Sequence, residues 1–240
     1  MLWLKAWLET RWRVVWALVM GALVFGAFLV SGAHAAAHAP ATHPMNLPET
    51  VSTALLGLTG VVSFFAAIML AGSGVETTTT RPGGSEKGGA GSTLFTLSLP
   101  VTRARLFAVR TVTGILETLV LLTLFAVVEG LLFSSLGVNA HDALGAFAEI
   151  VACNFTVYAI SACLATFCDE GWRFRVSAIV LAVLVTFVSL TASTDRLPRS
   201  LAAASPFITH QVPWVLIVSA CVLAALFLAA ALAIVQRRDY

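Results

Sequence analysis

A basic, a hydroxyl and an acidic side chain interrupt one long apolar stretch of the chain at helical spacing. Arg110, Thr113 and Glu117 are separated by three and four residues, which places them on one face of a helix. A carboxyl group within a membrane span is costly and usually faces the interior of a helix bundle. Two roles are open for these residues: interhelical hydrogen bonds that fix packing, or part of a substrate path. Glu129, further along the same stretch, is expected nearer the outer face.

A second polar set lies in the next apolar stretch. Asn154, Tyr158 and Ser161 follow one another at intervals of four and three residues and form a stripe on one helix face. The same two roles are open for them. Since carboxyl groups can act as general acids and bases, an intramembrane enzyme using Glu117 and Glu149 is an alternative function.

Other catalytic and metal-binding patterns are missing from the sequence. The glycine-rich segment 77–91 lacks the GxxxxGK[ST] order of a phosphate-binding loop, since Lys87 precedes Gly88. The chain should therefore not hydrolyse ATP itself. No HExxH occurs, and His34 and His38 are better explained by a solvated Ala- and His-rich loop than by a metal site. The four cysteines form no CxxC pair. Because all of these patterns are missing from the sequence, no catalytic residue, bound metal or cofactor is predicted.

The composition indicates where these polar residues must lie. Of the 240 residues, 59% are apolar and only 11% are charged, whereas soluble domains carry about 25% charged residues. This composition excludes an ordinary soluble domain, and it excludes a disordered chain as well. The net charge of +2 provides no basic field that would hold a nucleic acid. The sequence therefore predicts an integral membrane protein in contact with lipids.

Six apolar runs are long enough to cross a bilayer. A span needs about 20 residues, and it should be helical because lipid offers the backbone no hydrogen-bond partner. The runs cover residues 14–33, 51–72, 106–133, 144–167, 176–192 and 214–235. The sequence thus predicts an all-α membrane protein with six transmembrane helices in one transmembrane domain over residues 1–240.

The basic residues predict the orientation of these spans. Eleven Lys and Arg residues fall on one side of a six-span chain, and only Arg196 and Arg199 fall on the other. Because basic residues are enriched on the cytoplasmic side, both termini and the loop 73–105 should be cytoplasmic, with an outer loop at 193–213. A rival interpretation is a signal peptide cleaved at the A-x-A pattern of residues 33–35, which would leave five spans.

Residues 1–13 predict an interfacial helix before the first span. Lys5, Glu9 and Arg13 share one stripe, and apolar residues that include Trp3 and Trp7 face away from it. Such a pattern suits a helix lying in the membrane surface. The alternative is a flanking extension of the first span.

The segment before the third run carries a specific resemblance. Residues 91–106 read GSTLFTLSLPVTRARL, and the third apolar run follows directly. This segment resembles the cytoplasmic loop of ABC-2 type transporter permeases, in which Gly-Thr, a leucine-rich turn and Leu-Pro-Val-Ser-Arg are followed by a further basic residue, here Arg110. Ser205-Pro206-Phe207 is similar to an outer-loop pattern of that family, and residues 1–13 fit its elbow helix.

The resemblance implies a permease subunit of an ABC transporter, most often an exporter, in a bacterial cytoplasmic membrane. It implies an ATPase partner that binds ATP and Mg²⁺, and a second permease subunit. A coupling helix near residues 91–100 would contact the ATPase. Its apolar ridge would consist of Leu94, Leu97 and Leu99. Pro100 would end this helix, and Arg103 would anchor the third span that follows. A membrane assembly or scaffold protein is a further alternative.

Overall fold

The computed structural model describes residues 3, 7–8, 10–23, 26, 47–71, 102–135, 140–168, 172, 175–180, 212 and 214–237. The long helices within these ranges are α1 over 10–23, α2 over Leu47–Leu70, α3 over Arg103–Ser135, α4 over Ala140–Leu164 and α5 over Trp214–Arg237. These ranges contain no strand. The predicted all-α class is therefore confirmed for the described part of the chain.

Within the described residues, three helices are long and apolar enough to cross a membrane: Ala104–Leu131 within α3, Ala140–Leu164 and Trp214–Arg237. They coincide with the third, fourth and sixth predicted runs. A shorter apolar stretch, Thr59–Leu70, forms the second half of α2. The prediction of a membrane protein is thus confirmed in its general form.

The starts of α3 and α1 can be compared with two predicted boundaries. α3 begins at Arg103, inside the stretch predicted as loop. Thr102 caps it, since its carbonyl accepts a hydrogen bond from Leu106 N at 3.1 Å and its hydroxyl accepts one from Arg105 N at 3.4 Å. Residues 10–23 form one continuous helix, so the described chain shows no boundary between an interfacial helix ending at 13 and a span starting at 14. This continuity agrees with the alternative of a flanking extension of the first span.

Contacts along α2 show that α1 and α3 both run antiparallel to it. Arg13 Nη1, early in α1, donates a hydrogen bond at 3.2 Å to the Met69 carbonyl, which lies at the end of α2. Gly21, later in α1, lies close to Val62, which is earlier in α2. On α3, Gly114 approaches the carbonyl of Leu70, whereas Glu129 binds Thr59. α1 and α3 are therefore parallel to each other.

α4 and α5 run in the direction of α2. Asn154 contacts Ser63, and Ser161, further along α4, contacts Ile68, further along α2. Thr156 Oγ1 of α4 donates a hydrogen bond at 2.9 Å to the Ala220 carbonyl of α5. Later residues of the same two helices also meet, because Cys163 packs against a small core cluster formed by Phe107, Ala231 and Val235. Consequently α2, α4 and α5 end where α3 begins.

The larger core cluster is built mainly from small side chains. Alanines from three helices surround a few larger residues, which lets the backbones approach closely, as is common in membrane bundles. The buried members of this cluster are Ala17, Ala66, Ala67, Leu70, Ala71, Leu121, Tyr158 and Ala162. It joins α1, α2, α3 and α4 into one packed unit.

The polarity of α3 is inverted relative to a soluble helix. Its outward face carries exposed apolar side chains, namely Val112, Leu116, Val120, Leu124 and Leu131. Its inward face is buried and carries the polar ones, namely Arg110, Thr111, Thr113, Glu117, Thr118 and Glu129. An apolar exterior around a polar interior suits a lipid environment.

Basic side chains gather at one end of the bundle, which is called the basic end below. Arg13 lies beside the last turn of α2, Arg105 lies in the first turn of α3, and Arg237 lies in the last turn of α5. The helical segment 175–180 lies beside the last turns of α4, because Ser177 Oγ donates a hydrogen bond to Ser161 Oγ at 3.3 Å. The described part of the chain therefore shows the charge asymmetry that the sequence predicted.

Candidate functional site between the helices

The polar stripe predicted on α4 lies wholly inside the bundle. Asn154, Tyr158 and Ser161 are each 0% exposed. Asn154 Nδ2 donates a hydrogen bond to Ser63 Oγ at 2.8 Å, and Ser161 Oγ donates one to the Ile68 carbonyl at 3.5 Å. Two members of the stripe thus bind α2 at points five residues apart, which fixes the register of α4 against α2.

Tyr158 joins α4 to α3. Its hydroxyl donates a hydrogen bond at 3.0 Å to the Thr111 carbonyl. Gly114, one turn further along α3, has no side chain at the point where the tyrosine ring meets this helix. A Cβ there would lie 3.0 Å from the Leu70 carbonyl oxygen and 3.1 Å from Tyr158 Cε2. The absence of a side chain at Gly114 therefore allows three helices to meet at one point.

Glu117, predicted to face other helices, does so. It is 5% exposed, and its Oε1 accepts a hydrogen bond from the hydroxyl of Thr10 on α1, which is 1% exposed. The positive charges of Arg110 and Arg13 both act on its carboxylate. Glu117 thus accepts a hydrogen bond from α1 and feels the charge of two arginines, in the half of α3 nearer the basic end.

The predicted α3 stripe is only partly brought together. Arg110 and Thr113 are both buried, as expected. The Thr113 hydroxyl, however, donates its hydrogen bond at 2.8 Å to the Val109 carbonyl of its own helix. Threonine in a span often bonds in this way to the carbonyl four residues earlier. The described contacts of Thr113 therefore do not connect it with Glu117.

A second buried carboxyl lies further along the inner face of α3. Glu129 is 4% exposed and accepts a hydrogen bond from the hydroxyl of Thr59 on α2. It follows Glu117 by twelve residues, or about 18 Å along the helix axis. Glu149, the other residue of the proposed enzymatic pair, lies on α4 and is half-buried. α3 is thus bound by one glutamate–threonine contact to α1 and by another to α2.

Several buried acceptor atoms of the described helices have no hydrogen-bond donor. Within the described residues, Glu117 Oε2, Asn154 Oδ1 and Thr111 Oγ1 are buried and have no hydrogen-bond partner. A buried acceptor without a donor is costly, so such atoms commonly bind an ordered water or a ligand. The bundle interior therefore has the capacity to accept further hydrogen bonds beside both predicted stripes.

The partners of the two stripes were not predicted from the sequence. Thr59 and Ser63 lie four residues apart and so share a face of α2, but this spacing was not used, and Thr10 is a single small polar residue in a mixed segment. In retrospect, the signal is that each buried glutamate or asparagine requires a hydroxyl partner on a neighbouring span.

The described residues contain no group of three or more His, Cys, Asp or Glu side chains able to hold a metal. His141 is the described histidine, and it is exposed at the start of α4, with its Nδ1 at 3.4 Å from Asp142 Oδ1. His34 and His38 lie outside the described residues.

Most of the predicted coupling helix lies outside the described residues, including Leu94, Leu97, Leu99 and Pro100. Arg103 is the first residue of α3. The fold therefore joins the segment of the family resemblance directly to the helix that carries Glu117. Comparison of the chain with protein-family models, curated proteins and solved structures gave no significant match.

Proposed function

We propose that the chain is the membrane-spanning permease subunit of an ABC transporter of the ABC-2 type. The observation that carries this proposal is the segment GSTLFTLSLPVTRARL at residues 91–106. Its position also supports the proposal, because α3 begins within it at Arg103 and continues through the apolar span Ala104–Leu131. A cytoplasmic partner bound to this segment would act directly on α3.

The helix directions support the proposed six-span topology with cytoplasmic termini. When two spans cross the membrane in the same direction, the chain between them must cross it an odd number of times. α4 and α5 have this relation, and the sequence offers one apolar run between them, at residues 176–192. The basic end would then face the cytoplasm. In this arrangement α1 and α3 leave the cytoplasm, whereas α2, α4 and α5 return to it.

Transport would use ATP that a separate ATPase subunit binds with Mg²⁺. Closure of that subunit on ATP would displace the coupling segment, and α3 would carry the displacement into the bundle as a rigid element. α3 contacts α1, α2 and α4 through Thr10, Thr59 and Tyr158. A second permease subunit and the lipids of a bacterial cytoplasmic membrane would cover the apolar outer faces. Export is the proposed direction.

The docking role of the coupling segment can be tested by truncating its apolar ridge. The double variant Leu94→Ala, Leu97→Ala removes apolar contact area worth about 2–4 kcal/mol at about 25 cal/mol per Å². We expect at least a tenfold loss in the stability of the complex with the ATPase, since about 1.4 kcal/mol corresponds to a factor of ten. The measurement is co-purification of an ABC ATPase subunit co-expressed with the chain, together with its stimulated ATP hydrolysis.

Thr96→Ala with Ser98→Ala is the matched control, because these two residues lie in the same segment and contribute little apolar area. Both double variants should insert into the membrane at normal levels. Unchanged co-purification after loss of Leu94 and Leu97 would show that this segment is not the docking site.

The proposed topology makes a separate prediction. Reporter domains fused after Gly91 and after Arg238 should be cytoplasmic, and reporters fused after His43 and after Ser205 should be external, because eleven basic residues fall on the side of the first pair. The measurement pairs a reporter active only in the cytoplasm with one active only outside. An external C-terminus would contradict the six-span arrangement.

A further inference from the structure

We propose that the Thr10–Glu117 contact is a latch between α1 and α3 that opens during each transport cycle. The inference rests on the proposed function, because the force that opens it would come from the ATPase through residues 91–100. The latch consists of Thr10 and Glu117, together with Arg13, which holds α1 to the end of α2.

The position of the latch relates it to the coupling segment. The cytoplasmic loop connects the end of α2 with the start of α3, and α1 contacts both of these helices. Arg13 Nη1 binds the Met69 carbonyl in the last turn of α2 at 3.2 Å, and Thr10 binds Glu117 in α3. A displacement of the loop therefore acts on both contacts of α1 at once.

Thr10 has a second acceptor available when the latch opens. Its hydroxyl lies 3.3 Å from the Trp7 carbonyl, three residues earlier in the chain, in addition to its contact with Glu117. A threonine hydroxyl that loses an interhelical partner can therefore keep a local hydrogen bond. Separation of the helices does not leave this buried donor unsatisfied.

Glu117 is likewise compensated after separation. The charge of Arg110, which lies on α3 like Glu117, acts on its carboxylate independently of α1, whereas Arg13 lies on α1 and would move with it. Its Oε2 has no hydrogen-bond partner within the described residues, so the carboxylate also has capacity to bind a water or another donor. Both partners of the latch therefore have an alternative arrangement, which is the requirement for a contact with two stable states.

A second described contact of α1 with α3 has a different character. Gly21 lies against the ring of Phe125, and a Cβ at Gly21 would be 2.6 Å from Phe125 Cζ. This contact is apolar and close-packed, and it lies eleven residues, or about 16 Å, further along α1 than Thr10. Towards Gly21, α1 is thus held by apolar packing that also includes Ala17 of the larger core cluster, so a separation from α3 would begin at the end of α1 that carries Thr10.

Cross-linking of Thr10→Cys to Glu117→Cys tests the latch. The variant is made after replacement of the four native cysteines, Cys153, Cys163, Cys168 and Cys221. We expect a short bifunctional thiol reagent to reduce transport by at least tenfold in the complete complex with its ATPase, and a reductant that cleaves the link to restore it. Thr156→Cys with Ala220→Cys, which link α4 to α5, is the control pair and should retain transport when linked, because the proposed latch lies between α1 and α3.

A second measurement does not depend on the double variant. In Thr10→Cys alone, the rate of labelling by a water-soluble maleimide should rise at least tenfold when ATP is added to the complex. Unimpaired transport by the cross-linked protein, or a labelling rate that ATP leaves unchanged, would overturn the latch even if the ATPase co-purifies. Failure of the unmodified chain to co-purify with the ATPase would instead remove the proposed function, and the latch with it.

Discussion

Truncation of Tyr158 to alanine is expected to destabilise the bundle by about 3–5 kcal/mol, the usual cost of deleting a large buried aromatic side chain. Tyr158 is among the largest fully buried side chains and belongs to the core cluster that joins four helices. Its loss leaves a cavity at the junction of α2, α3 and α4 and removes the hydrogen bond to the Thr111 carbonyl. The measurement is denaturant unfolding of the purified protein in detergent micelles.

Tyr158→Phe is the matched control for this prediction. It keeps the ring and removes only the hydroxyl, so the expected loss is about 0.6 kcal/mol, the average for an interhelical hydrogen bond in a membrane protein. Equal losses for the two variants would show that the hydrogen bond, and not the packing of the ring, stabilises this junction.

Replacement of Gly114 by alanine is expected to destabilise the protein by about 1–3 kcal/mol, the range for overpacking in a close-packed core. The added methyl group would lie 3.0 Å from the carbonyl oxygen of Leu70 and would overlap the Tyr158 hydroxyl. Backbone cannot move away as a flexible side chain can, and Tyr158 is held by its own hydrogen bond. The helices must therefore separate, which loosens the packing of the surrounding alanines.

α3 supplies a control at its other glycine, Gly130, where an added Cβ would meet no atom within 4 Å. Alanine is favoured over glycine in a helix by about 0.5–1 kcal/mol, so Gly130→Ala should leave stability unchanged or raise it. Gly114→Ala should also be less damaging in a Tyr158→Ala background, because one of its two clashes is then absent. Unfolding curves of Gly114→Ala and Gly130→Ala that coincide would contradict the close approach at Gly114.

The sequence predicted the inward faces of α3 and α4 correctly, for a physical reason. Lipid offers a polar residue within a span no hydrogen-bond partner, so such a residue usually faces the interior of the bundle. The spacing of Asn154, Tyr158 and Ser161 therefore identified a buried stripe, and the burial of Arg110 and Glu117 followed in the same way.

The contacts of these residues could not be predicted with the same means. A threonine hydroxyl can bond to its own helix or to a neighbour, and the spacing does not distinguish the two. Thr113 bonds to Val109 in its own helix, whereas Thr10 reaches Glu117 across 107 residues of sequence. α3 begins at Arg103, three residues before the predicted apolar run, because a boundary set by the loss of apolar residues does not include polar residues that continue a helix.

The two threonine partners of α3 have a consequence for how the protein is made. A carboxylate is among the costliest groups for a lone helix to carry into a bilayer. Thr10 and Thr59, which bind Glu117 and Glu129, both lie earlier in the chain than α3. Since synthesis proceeds from the N-terminus, α1 and α2 leave the ribosome first. The hydroxyl partners are therefore in the membrane when the glutamates of α3 arrive, so the chain order itself lowers the barrier to inserting its most polar span.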